Sequence, residues 1–371
     1  MHEKLAVLKA SLVLSAFTTF SLALSSANAA ILVGNTTGNN VLLFDEQSGA
    51  YLGDFITPGR GGLIAPDDLN FGPDGNFYVS SGNTPETSAI LRYNGKTGKF
   101  IDVFASGGGL FRPYGNAFGP DGYLYVSSFL SDQILRYDGK TGDFIDVFAS
   151  GNGQPGGLNG PNGLVFGSDG SLYVTTQGSI AVNGNPTFPG LPSQVLRFDL
   201  KTKTSTVFIE QPTPSPDSFG FVSLLGLAFG SNGDLFVSDF ANDIRRYDLN
   251  TGTQIDVLST NYTGTVPSSN FIGNLTFGVD DILYTVGFDI NTNFGTILRY
   301  DGVTGEPLPS PGNNGSIFVP TSNKLLRPIG IAYTSQPLNI SVPEPATTVG
   351  LLTLGALFPA WRRQRQRQVV K

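Results

Sequence analysis

The chain of 371 residues contains no cysteine and a single histidine, His2. That histidine lies in a segment that reads as an export signal, so the exported protein would hold neither imidazole nor thiol. These absences exclude a Ser-His-Asp triad, a cysteine nucleophile, a histidine base, and zinc, haem or iron–sulfur ligation through Cys or His. Disulfides are excluded too, although an exported protein would be allowed them. Charge is scarce: Asp, Glu, Lys and Arg make up 14% of the chain, against about 25% in an ordinary soluble domain. Present instead are 48 glycines, 24 prolines, 28 phenylalanines and 13 tyrosines. Glycine and proline exceed the globular average but stay below the range of low-complexity chains. The mix suits short strands and turns better than helices.

Both ends read as sorting segments. Lys4 and Lys9 precede an apolar run over residues 10–24, and Ala27 and Ala29 form the small-x-small pattern read by signal peptidase, with cleavage expected before Ala30. The run is short for an uncleaved membrane anchor. At the other end, Pro343-Glu344-Pro345 is followed by an apolar segment over 346–361 and a basic tail over 362–371 that includes Arg362 and Arg363. The apolar segment is shorter than the ~20 residues of a comfortable span, and the arginines would stay on the cytoplasmic side. This three-part tail resembles the PEP-CTERM sorting signal of Gram-negative bacteria. The resemblance implies recognition by an exosortase-type membrane protease, cleavage near Pro343-Glu344-Pro345, and delivery to the cell surface or extracellular matrix. Signal peptidase and the exosortase-type protease are then the expected processing partners, and membrane contact is confined to the terminal segments. Removing both ends leaves 15 basic and 27 acidic residues, a body near −12. Such a surface repels nucleic acid.

Between the ends, over residues 30–336, one pattern is written repeatedly. Residues 66–80, with Phe71-Gly72-Pro73-Asp74-Gly75 and Phe77-Tyr78-Val79, recur over 113–127, 161–175 and 224–238, and in degenerate form over 272–286. Each copy is followed by a segment such as Ile90-Leu91-Arg92-Tyr93 with a Lys-Thr-Gly turn, then by an apolar strand such as Phe100 to Phe104. The unit therefore holds four short strands joined by glycine turns. Phe71, Phe118, Phe166, Phe229 and Phe277 align, with Tyr333 in a truncated last copy, at spacings of 47, 48, 63, 48 and 56. Periods in the forties with four strands per unit indicate propeller blades. The truncated copy, 327–333, lacks three strands, and the region around 31–34, 41–44 and 51–56 supplies three. The expected fold is thus an all-β, six-bladed propeller whose last blade is closed by pairing the N- and C-terminal strands, which also removes open sheet edges. The repeats resemble the NHL-type and SMP-30/gluconolactonase/streptogramin-lyase-like group of propellers. Residues 337–345 are expected to form a linker.

Loops of variable length mark one face of such a propeller. The connection from Tyr173 to Leu196 spans 23 residues where Tyr125 to Leu135 spans 10; the excess is 177–192, and further long loops cover 211–219 and 261–270. Variable loops on a rigid scaffold either bind ligand or are tolerated insertions. The loop aromatics Phe129, Phe188, Phe219, Phe240 and Phe288, read as exposed, suit stacking on a polysaccharide or a protein ligand. Asp239 is a further candidate on that face, with a turn role as its alternative. Asp67, Tyr114, Asn162, Leu225, Gly273 and Ile329 should line the central channel. Resemblance to the SMP-30-like hydrolases implies a divalent metal, calcium, held in part by Asp67 and Asn162, and with it a lactonase or esterase activity. Calcium wants six to eight oxygens, and Leu225, Gly273 and Ile329 supply no side-chain oxygen, so the primary expectation is a binding protein without cofactor or catalytic residues. The streptogramin-lyase branch uses a histidine base, which the body lacks. Asp74 and Asp121 should set turn geometry, and Arg92, Arg136, Arg197, Arg246 and Arg299 should pair with the nearby Asn94, Asp138, Asp199, Asp248 and Asp301.

Overall fold

The computed structural model describes residues 29–339. Ala27, Pro343, Glu344, Pro345, Arg362 and Arg363 lie outside the described residues, while Ala29 immediately precedes the first strand, Ala30–Asn35. Six four-stranded antiparallel sheets form the blades of a propeller, with one extra two-stranded hairpin. Blades 1 to 5 begin with the inner strands Asp68–Phe71, Pro113–Phe118, Pro161–Phe166, Leu224–Phe229 and Asn270–Phe277. Blade 6 is composite: Pro328–Thr334 is its inner strand and pairs with Ala30–Asn35 in the register Tyr333↔Ile31 and Ala332↔Leu32. Asn40–Asp45 and Tyr51–Ile56 complete it.

Blades 1 to 3 are stiffened by the same local chemistry. The aspartate of the first turn accepts a backbone N–H with one oxygen and a tyrosine hydroxyl with the other, as in Asn76 N to Asp74 Oδ1 at 3.0 Å and Tyr78 OH to Asp74 Oδ2 at 3.0 Å. Asp121 and Asp169 hold Tyr125 and Tyr173 in the same way. The recurring arginines do not pair with the residue two positions on. Arg136 donates to Asp146 on the outer strand at 2.6 Å, Arg92 to Asp102, and Arg197 and Arg246 bond the turn aspartates Asp169 and Asp234, while Arg299 Nε donates to the Leu308 carbonyl. The reason is competition: Asp138 is occupied by the amides of Lys140 and Thr141, whose turn it caps.

The core lies between blades rather than within any one of them. Tyr78, Tyr125, Tyr173 and Phe236 on second strands each meet, edge to face, the phenylalanine that ends the next inner strand, Phe118, Phe166, Phe229 and Phe277. Tyr284 stacks on Tyr333 in the same relation, and Leu32 with Phe71 shares the corresponding cluster across blade 6 and blade 1. Around the axis the inner strands come so close that a side chain cannot be fitted at Gly163, where a Cβ would stand 2.4 Å from the Leu225 carbonyl oxygen. The compact body also extends further than expected. Leu338, placed by its sequence position in a linker, is fully buried against blades 6 and 1, and the Asn339 amide bonds the Lys96 carbonyl.

Candidate functional site

Loops leading into the inner strands and loops joining second to third strands converge on one end of the channel and enclose a cavity of about 790 Å³. Its floor is the start of the inner strands, Asp67, Tyr114, Leu225 and Ile329. Its walls come from Phe129 and Leu130 on a short 3-10 turn of blade 2, from Phe188 and Leu191 of the blade 3 insertion, and from Phe221 and Phe240 of blade 4. The insertion is a built element: Ile180–Val182 and Asn185–Thr187 form a hairpin that leans across blade 2. Asp132 holds it there, accepting the Ala181 amide at 2.7 Å and the Gly160 amide at 2.9 Å.

The floor is charged. Asp67 is buried and accepts the Thr36 hydroxyl at 2.9 Å, with Arg112 Nη2 3.6 Å from its other oxygen. Burial outweighs both contacts and pushes the Asp67 carboxyl above its ordinary range. The Arg112 guanidinium lies over the Tyr114 ring at 5.2 Å, and that of Arg327 over the Phe288 ring at 5.6 Å.

Beneath the floor the channel is blocked. Asp68 and Asn274 stand where blades 2, 3, 4 and 6 carry glycine, and Asn274 Nδ2 donates to Asp68 Oδ1 at 3.0 Å. The other Asp68 oxygen accepts the backbone N–H of Asn116 at 2.8 Å and its side-chain amide at 3.1 Å. Burial nevertheless pushes Asp68 up to about 7. A separate cavity of about 440 Å³ lies below this plug.

Asp67 and Asn162 both line a narrow void between floor and plug. Asn162 is fully buried and its Oδ1 has no hydrogen-bond partner. Asp67, however, is shared between the Thr36 hydroxyl and the Arg112 guanidinium, and Asp68 is taken up by N–H groups of Asn116 and Asn274; of these only the hydroxyl could ligate calcium.

The loop aromatics are not uniformly exposed. Phe188 and Phe219 are, at 66% and 45%, whereas Phe129 and Phe288 are buried at 5% and 3%. Phe288 turns inward because Phe271, Phe240 and Arg327 pack around it; Phe129 lies edge-on to Tyr114 and still reaches the cavity wall. Phe240 is half-buried and stacked on Phe271 at 4.4 Å. Asp239 is buried, accepts the amides of Ser223 and Ala241, and faces Arg245 at 3.4 Å, the bonds of a loop-tying residue. The expectation missed Arg112 and Arg327. Their signal was present: an Arg-Pro pair opens the inner strand in blades 2 and 6, Arg112-Pro113 and Arg327-Pro328.

Fold and site together define a six-bladed β-propeller with a walled cavity at its loop-rich end. No family model matches the sequence, and no curated protein matches it. Among solved structures it is similar to a chain of a nidogen/laminin complex, 15% identical at a TM-score of 0.56, covering 83% of this chain and 99% of that one. It is also similar to a protein of unknown function from Bacteroides caccae, 12% identical at a TM-score of 0.51, covering 82% and 98%. A virginiamycin B lyase from Staphylococcus aureus aligns at 17% identity over 80% of this chain and 82% of that one, with a TM-score of 0.46. At such identities the likeness concerns the fold.

Proposed function

We propose that the chain is an exported propeller, sorted to the cell surface or extracellular matrix by an exosortase-type system, that binds a polysaccharide or protein ligand through its loop-rich face. One observation carries the binding reading: a cavity of about 790 Å³, concave and mainly apolar, built from the loops whose lengths differ most between blades. Exposed Phe188 at its rim, with Phe221 and Phe240 inside, offers flat faces to a sugar ring or an apolar side chain. Glycan and protein arrays probed with the exported protein test it. Phe188→Ala and Phe221→Ala should each weaken a hit by about tenfold, the size of an ordinary aromatic anchor; hits that ignore both changes would remove the cavity from the reading. The sorting reading rests on the Pro343-Glu344-Pro345 tail, and Glu344→Ala should leave the protein unprocessed in the membrane fraction.

A calcium-dependent lactonase or esterase is the alternative, favoured by the unpartnered Asn162 Oδ1 beside Asp67. Arg112 at 3.6 Å from Asp67 weighs against it, because a guanidinium at that distance opposes a cation. Calcium titration followed by thermal melting separates the two, and a melting temperature indifferent to both calcium and chelator ends the enzyme reading.

A further inference from the structure

Stacking on aromatic faces leaves the charge of the cavity floor without a role. The lining holds two guanidinium groups, Arg112 and Arg327, and a single carboxylate, Asp67. It therefore carries an excess positive charge in a chain of net charge −7. Both arginines occupy the same place in their blades, directly before the proline of the inner strand, and both hold left-handed backbone, at φ 52° and 51°. In blade 3 that place belongs to Gly160, at φ 63°, the residue type this conformation favours. Blade 1 carries Ala65 in the same backbone, at φ 48°, so the conformation belongs to the repeat, and what sets blades 2 and 6 apart is the cationic side chain placed there. Arg112 is partly satisfied within the protein, by Asp67, and Arg327 is not. The buried Nε of Arg112 has no partner, its only acid contact is at 3.6 Å, and Arg327 makes no ion pair among the described residues. Tyr114 and Phe288 support the two guanidinium groups, and with Arg112 Nη2 turned toward Asp67 the exposed Arg327 offers the open N–H donors for an anion.

We propose that the cavity binds a monocarboxylate carrying an apolar body, with the carboxylate between Arg112 and Arg327 and the body against Leu191, Phe221 and Phe240. The ligand is then either a free organic acid or the carboxyl end of a chain. This rests on the ligand-binding reading of the same cavity and specifies the chemistry that the cavity selects.

The test is calorimetric titration of the exported protein with 3-phenylpropionate, N-acetylphenylalanine and a hexapeptide ending in phenylalanine, each as the acid and as the amide, with galacturonate as a carboxylate lacking an apolar body. The acids should bind at least about tenfold more tightly than their amides, as expected for a charge-assisted bond in a partly dry site, and more tightly than galacturonate. Arg327→Gln and Arg112→Gln should each erase the acid-over-amide preference; Arg327 is exposed, so its variant keeps the fold, checked by an unchanged melting temperature. Tighter binding of the hexapeptide than of the free acids identifies a chain end, and the reverse a free acid. Acids and amides binding alike would overturn the proposal while leaving the cavity a ligand site. Titrations without heat for every probe would also overturn it, and the arrays decide polymer binding independently.

Discussion

Tyr125 illustrates what a single repeat position contributes. Its ring stands edge-on to Phe148 of its own blade and Phe166 of the next, each 5.1 Å away, and its hydroxyl donates to Asp121 at 2.8 Å. Removing the ring opens a cavity at a blade interface, whereas removing the hydroxyl deletes one bond to a charged turn residue. Tyr125→Ala should therefore cost about 3–5 kcal/mol and Tyr125→Phe about 1–2 kcal/mol, measured by urea unfolding. Arg327 presents the opposite balance. Its left-handed backbone costs about 1 kcal/mol for any residue with a Cβ, and glycine would recover that while adding freedom to the unfolded chain. Arg327→Gly trades that gain against the cover Arg327 gives Phe288, so the melting temperature should stay within a few degrees of the parent while binding of the carboxylate is lost.

At the scale of elements, two segments have contrasting duties. Strand Pro328–Thr334 supplies the inner edge of blade 6, and Tyr333 and Ala332 pair directly with Ile31 and Leu32. Without it, the apolar face of Ala30–Asn35 and the ring of Tyr284 lose their cover. A chain ending at residue 327 should fail to fold, seen as loss of the cooperative melt and recovery only in the insoluble fraction. The hairpin over 180–187 sits outside the blades and is tied mainly by Asp132. Replacing residues 180–190 with a short Ser-Gly turn should keep a cooperative melt, but it removes the wall that carries Phe188 and should weaken ligand binding at least about tenfold. Loss of folding in that variant would show the hairpin to be part of the scaffold.

For the molecule as a whole, burial sets an unusual dependence on pH. Desolvation pushes Asp68 up to about 7 and Asp243 up to about 6, the latter among Arg245, Asp217 and Asp239. Folding holds a proton on these groups at a pH where the unfolded chain has already lost it. Their contribution is therefore favourable at acid pH and declines as pH rises from about 4 through 6 and 7. Asp146 behaves in the opposite sense: the Arg136 and Lys203 partners hold it down at about 2, so its contribution is present above about 4 and fades as pH falls toward 2. Stability should peak on the acid side of neutrality, and urea midpoints at pH 5 should exceed those at pH 8. Asp243→Asn should reduce that difference; an unchanged slope in the variant would show that Asp243 does not titrate in this range.

How much of this was legible depends on the range of each interaction. The strands, their turns and the composite blade follow from local chemistry repeated along the chain. Alternating apolar residues, aspartates capping glycine turns, and a truncated copy with three unmatched strands at the far end all act within a few residues or recur often enough to be counted. The loop-rich face was legible for the same reason, through unequal lengths. The content of the site was not. Asp68 and Asn274 are 206 residues apart, and only ring closure sets them hydrogen-bonded in the channel. Phe188 sits in a loop and Phe288 at the end of the strand Ile282–Asp289 on the same face, yet Phe288 is buried under Arg327 and Phe188 overhangs the cavity, because neighbouring blades decide which ring finds cover. Arg112 and Arg327 converge on a common floor for the same reason. Local periodicity was enough for the propeller; the cavity, its plug and its charge come from the inter-blade geometry that brings distant side chains into one low-dielectric space.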